Sequence, residues 1–136
     1  SHRVALQPGT RAYARTWVRD GAMMASALVR TGHHRLAREF VEWYEPYLFE
    51  SGKVPCCVDA RGRDPVTEND SHGQFIFAVA QVWRYRAPGD GVDRVWLEKR
   101  WKSIRKVLAW MDHLRTQAER PVADKYQHLR AAMQAQ

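Results

Sequence analysis

The chain has 136 residues, a length typical of one domain, and its 45% hydrophobic content suits a globular core and excludes a disordered chain. The net charge of +7 is carried mostly by arginines scattered among acidic residues, so it is weak support for a nucleic-acid partner. No apolar run approaches the roughly 18 residues that cross a bilayer, and no signal-peptide pattern opens the chain, so we expect a soluble protein without a membrane partner.

The first predicted helix runs from about Asp20 to Val29, after a turn at Pro8-Gly9. It is apolar on nearly every side, which predicts a helix buried all round, and Thr31-Gly32 can end it. A second helix, about residues 35–48, is amphipathic, with Leu36, Phe40 and Tyr47 on one stripe. Its interior Pro46 is expected to end or bend it.

Residues 51–69 are rich in glycine and proline and predict a loop, with a small hairpin as an alternative. We expect this loop to lie at the end of the molecule where a substrate would bind, since long loops in compact domains are often functional. It contains the two cysteines of the chain, Cys56 and Cys57. Adjacent cysteines have poor geometry for a mutual disulfide, and two cysteines are too few ligands for a zinc site.

We therefore expect reduced, half-buried cysteines, no metal and no cofactor, with vicinal redox chemistry as the alternative. Reduced cysteines favour a cytoplasmic location.

A third helix, about residues 70–85, is again apolar around most of its circumference, which predicts an interior position. A fourth, about residues 92–118, is amphipathic. Its predicted buried line recurs at steps of three or four residues, at Leu97, Trp101, Ile104, Leu108 and Met111. Pro121 is expected to interrupt the chain before a last short helix at 123–132.

The alternation of buried and amphipathic helices over two helical hairpins predicts an all-α fold with inner helices covered by outer ones. A plain four-helix bundle would give every helix one solvated face. We treat residues 1–136 as one unit. Because the chain begins without methionine, we expect it to be a piece of a longer protein. The chain by itself would then be an incomplete double ring of helices.

Two polar motifs stand at the starts of the two apolar helices. Residues 13–20 contain Tyr13, Trp17, Arg19 and Asp20, and residues 68–74 contain Glu68, Asp70 and Gln74. Helix capping alone could explain Asp20, and Asp70 or Asn69 in the second motif. The functional alternative is a sugar site, since aromatic rings stack on sugar C–H faces while carboxylates and a guanidinium bond to hydroxyls.

Paired carboxylates also suggest glycoside hydrolysis, which needs two such groups about 5 to 9.5 Å apart. Asp20, Glu68 and Asp70 are the candidates. One intervening helix returns the chain, so both motifs should open onto the same end of the molecule. His33-His34 should lie at the opposite end, as a solvated turn.

Trp17-Val-Arg19-Asp20 before a small-residue helix, followed by Glu68-x-Asp70-x-x-Gly73-Gln74 before another, resembles the N-terminal part of the six-hairpin glycosidases. The resemblance is to the glucoamylase and glucodextranase group, glycoside hydrolase family fifteen, over roughly residues 11 to 115. It implies an (α/α)6 toroid with the pocket where the inner helices begin. It also implies that Arg19 and Asp20 bind hydroxyls of a terminal glucose.

The family's general acid and base have no match here, so the resemblance implies about two of six hairpins of a glucoamylase-like α-glucoside hydrolase, inactive alone. Its substrate would be an oligosaccharide or glucoside, and its uncovered apolar helices predict self-association or pairing with the rest of the barrel. The alternative is a non-catalytic helical interaction module, in which the acids only cap helices. A basic nucleic-acid binder is a weaker third hypothesis, for which affinity should fall steeply with salt.

Overall fold

The computed structural model describes the backbone of residues 5–9, 14–66 and 68–134, with side chains as far as residue 117. This part is mostly helical: α1 is Val18–Arg30, α2 His34–Tyr44, α3 Asp70–Arg84 and α4 Arg94–Gln134. A 3-10 turn, Glu45–Tyr47, continues α2. Three short strands complete the described elements, β1 at Thr16–Trp17, β2 at Cys57–Asp59 and β3 at Gly62–Arg63.

The sheet has the order β1-β2-β3 with antiparallel pairs, so the described chain is mostly helical, as predicted, with a small sheet that the all-α prediction does not include. Trp17 pairs with Cys57, and Val58 pairs with Arg63 across a turn. The hairpin alternative for the 51–69 loop is therefore confirmed. Since β1 leads directly into α1, this pairing places the loop at the N-terminal end of α1.

One hydrophobic core holds the helices and the loop together, and α1 packs most extensively against α3. The packing of α2 against α1 depends on a glycine. Gly21 faces the ring of Phe40 on α2, and a Cβ at Gly21 would overlap that ring. Gly52, at φ +92°, lies against the backbone of α4 at Lys106, where any side chain would collide with the carbonyl.

The prediction that α1 and α3 are buried all round is wrong for the described chain. Each buries one face, while Met23 on α1 is 60% exposed and Phe77 on α3 is 36% exposed. The reason is that no described element of this chain covers those faces. An apolar circumference in the sequence shows only that partners are needed, not that the chain supplies them.

α2 ends at Tyr44, as expected for a helix that meets Pro46. On α4 the predicted buried line is wrong in part. Ile104 is buried, but Trp101 is 51% exposed and Leu108 is 45% exposed.

Trp96, Arg100 and Val107 lie inside instead. The helix is turned so that Arg100 Nη2 reaches Glu45 Oε2 at 3.0 Å, with both side chains largely buried. These two charges thus meet between the 3-10 turn and α4.

The predicted interruption at Pro121 is also wrong, because α4 continues to Gln134. Proline removes one backbone N–H and crowds the preceding turn, but a long helix can continue through it when the remaining hydrogen bonds hold. No helix in the described ranges is long and apolar enough to cross a membrane.

Candidate functional site

The starts of α1 and α3 lie side by side, joined by one guanidinium. Arg19 Nε donates to Asp70 Oδ2 at 2.6 Å, and Arg19 Nη2 donates to Glu68 Oε2 at 3.1 Å. The prediction that the two motifs open onto the same end of the molecule is confirmed by these contacts. We call Arg19, Asp20, Glu68 and Asp70 the arginine cluster.

The acidic residues of the cluster do not cap their helices. The N-cap positions are Trp17 for α1 and Asn69 for α3, and neither helix has a side-chain capping hydrogen bond. Asp20 and Asp70 lie in the first turns, where negative charge complements the helix dipole. Capping by Asp20 or Asp70 is therefore a wrong prediction, and Asn69 holds the cap position without capping through its side chain.

Mutual charge stabilisation dominates the electrostatics of the cluster. The hydrogen bond from Arg19 lowers the pKa of Asp70, and burial only partly opposes this. In turn, the bond to Asp70 and the charges of Glu68 and Asp20 raise the pKa of Arg19. A carboxyl with a lowered pKa is a poor proton donor at neutral pH, so Asp70 suits binding rather than general-acid chemistry.

The cluster is accessible, since the Arg19 side chain is 55% exposed. Its Nη1 has no hydrogen-bond partner among the described residues, so N–H donors are left over for a ligand. Trp17, half-buried in β1, immediately precedes α1.

Gln74, by contrast, lies with Asp70 and Gly73 along an open groove of about 460 Å³ that also touches Met23 and Phe77. Tyr13 lies outside the described residues. His33 is exposed at the α1–α2 turn, as predicted, but His34 is half-buried with its Nδ1 shielded from solvent, so the prediction of a solvated turn is wrong for His34.

A second polar group, missed by the sequence analysis, lies on the hairpin. Arg15 Nη1 is 3.0 Å from Asp64 Oδ2 and 3.6 Å from Cys57 Sγ. Arg15 Nε is also 3.3 Å from Asp59 Oδ2. The available signal was the turn at Gly62, which folds Asp64 back onto Cys57, where Asp64 N donates to the carbonyl of Cys57 at 3.0 Å.

Both cysteines are free and fully buried, so the half-buried prediction is wrong while the reduced state agrees. Burial, followed by the neighbouring Cys57, raises the pKa of Cys56 to about 12. The Cys56 thiol donates to Cys57 Sγ across 3.7 Å.

Comparison of the chain with models of known protein families, with curated proteins and with solved structures finds no match.

Proposed function

We propose that this chain is a carbohydrate-active segment of a glucoamylase-like α-glucoside hydrolase, in which the arginine cluster binds hydroxyls of a glucose unit. The observation that carries the proposal is the bridge from Arg19 to Glu68 and Asp70 at the adjoining starts of α1 and α3. The resemblance described above expects a glucose-binding Arg-Asp pair at this position.

The chemistry of the cluster supports recognition of adjacent hydroxyls. Carboxylates accept hydrogen bonds from sugar hydroxyls, while the remaining N–H groups of Arg19 can donate to the hydroxyl oxygens of the sugar. Trp17, two residues before Arg19, would supply the apolar ring on which a sugar stacks. The general acid and base, in this proposal, lie outside the chain, which agrees with the lowered pKa of Asp70.

The proposal extends to architecture. α1 and α3 would be neighbouring inner helices of an (α/α)6 toroid, with α2 and α4 outside, and the exposed face around Met23 and Phe77 would meet the next hairpins. The free cysteines are compatible with a cytoplasmic location for such an enzyme.

A direct test is titration of the chain with maltose, followed by calorimetry or NMR. We expect binding by the wild type and a dissociation constant raised by about tenfold or more in Asp20→Asn, since a hydrogen bond to a charged group is worth about 1.5 to 3 kcal/mol. Asp112→Asn is the matched control, because it makes the same change on α4 outside the cluster, and it should bind as the wild type does. Absence of maltose binding, or equal binding by Asp20→Asn, would reject the sugar site.

A second candidate is a non-catalytic helical interaction module. The observation that favours it is the open groove, where Met23, Phe77 and Met111 from three helices are all exposed. Under this alternative the same titration gives no sugar binding, and substitutions in the groove, not in the arginine cluster, change association.

A further inference from the structure

The hairpin brings three potential metal ligands together beside β1, the strand that carries Trp17 of the proposed sugar site. Cys56 Sγ, Cys57 Sγ and a carboxylate oxygen of Asp64 all lie within 4.8 Å of one another. We propose that these residues bind a thiophilic divalent cation of the Zn²⁺ class, with water in the fourth position.

The local backbone explains how two adjacent cysteines can bind the same metal ion. Successive side chains of a strand point to opposite faces, which would separate neighbouring thiols. Cys56, however, lies in a bend just before β2, and Cys57 is the first residue of that strand. The bend turns both sulfur atoms to the same side.

The distance between the sulfurs fits tetrahedral coordination. Two thiolates that bind one zinc ion at about 2.3 Å in tetrahedral geometry lie about 3.8 Å apart. Cys56 Sγ and Cys57 Sγ are 3.7 Å apart, and Cys57 Sγ is 3.9 Å from Asp64 Oδ2. Small side-chain rotations therefore suffice to close the set around one ion.

An entry path is present. A cavity of about 250 Å³ reaches Cys57 and Asp64, and three arginines also line it, Arg15, Arg61 and Arg63. Asp59 pairs with Arg61, and Arg63 donates to the carbonyls of Tyr47 and Leu48. Arg15 now supplies the positive charge at the ligand atoms. Its side chain is 36% exposed and already contacts Asp59, so it can leave Asp64 and Cys57 without losing every partner.

Binding replaces the two thiol protons, which pass to solvent, by two metal–sulfur bonds. No oxidant or reductant takes part.

The experiment is titration of the reduced chain with Co²⁺, which gives sulfur-to-cobalt charge-transfer absorption when thiolates bind it. We expect this absorption to saturate at one ion per chain and to disappear when Zn²⁺ is added. Cys57→Ser should abolish it, and Asp64→Asn should weaken Co²⁺ binding by about tenfold or more.

Asp112→Asn is the matched control, since it makes the same change on α4, outside the hairpin and its cavity, and it should change the affinity little. Because Cys57 is buried and its variant could misfold, circular dichroism accompanies each variant, and the comparison of Asp64→Asn with Asp112→Asn decides independently. The proposal is overturned by absence of the charge-transfer absorption, by one ion per two chains, or by equal affinities of the two aspartate variants.

Discussion

At the scale of single residues, Arg19 sets the character of the candidate sugar site. It contacts two carboxylates from the second motif while following Trp17 closely in the first. Sequence reasoning could place these residues at two helix starts, because the apolar runs that follow them are plain. It could not predict that Asp70 would accept a hydrogen bond from Arg19 and not cap its own helix, since this contact depends on the distance between α1 and α3.

The Arg19–Asp70 pair makes a pH-dependent prediction. Because the pKa of Asp70 is lowered from its ordinary 3.8 in the folded state, the pair stabilises the protein fully above that value and loses its effect as the pH falls through the lowered pKa. The pair is exposed, so the effect on the free energy of unfolding is small. Asp70→Asn should therefore lower the urea midpoint slightly at about pH 7, and this difference should vanish near about pH 2.

The control is the same substitution in an Arg19→Gln background. There the pair is already broken, so the pH-dependent effect of Asp70→Asn should shrink to what its charge contributes at the start of α3. A difference that persists unchanged in that background would show that Asp70 acts through some other partner.

At the scale of elements, the starts of the helices were predictable from the sequence, while the face that each helix buries was not. The predicted third helix, 70–85, matches α3 at Asp70–Arg84 almost to the residue. For α4, hydrophobicity favoured the stripe through Trp101 and Leu108, but the real interface is partly polar. Trp96 Nε1 donates to Glu42 at 2.9 Å, and Ser103 Oγ donates to Glu45 at 2.7 Å.

The Arg100–Glu45 pair at this interface predicts a large and asymmetric mutational effect. Arg100→Ala should lower the free energy of unfolding by about 3 to 5 kcal/mol, because it leaves the carboxylate of Glu45 buried without its partner. Arg94→Ala, which removes the exposed partner of Glu98 on the same helix, should cost less than about 1 kcal/mol. Urea denaturation of both variants provides the comparison.

The double variant Arg100→Met/Glu45→Leu should recover much of the loss, since apolar groups of similar size can replace a buried ion pair. If Arg100→Ala and Arg94→Ala were equally stable, the Arg100–Glu45 pair would have to be open in solution.

At the scale of the whole molecule, the exposed apolar groove is the feature that most needs a partner. Met23, Phe77 and Met111 come from three different helices and line one groove, so they form a continuous apolar surface. The sequence predicted uncovered apolar faces on the first and third helices, but it wrongly placed Met111 on the buried line of the fourth. It could not tell which of them the chain itself covers, because that depends on what packs beside α1 and α3.

We therefore expect concentration-dependent self-association, measurable by sedimentation or light scattering. Phe77→Lys should reduce the association by about tenfold or more, because it places a charge in the apolar contact. Val95→Lys is the matched control, since Val95 is 72% exposed on α4 and does not line the groove. A compact monomer at all concentrations would contradict the expectation, and equal effects of the two lysines would place the contact elsewhere.

The close approaches at Gly21 and Gly52 have a consequence for comparison with relatives of this chain. At Gly21 the ring of Phe40 fills the volume of a methyl group, and at Gly52 the carbonyl of Lys106 does. Any homologous protein that packs its second helix and its hairpin loop in this way must keep glycine at both aligned positions, whatever sugar, metal or protein it binds. An alignment that shows bulky residues there would identify a differently assembled molecule even if both acidic motifs were retained.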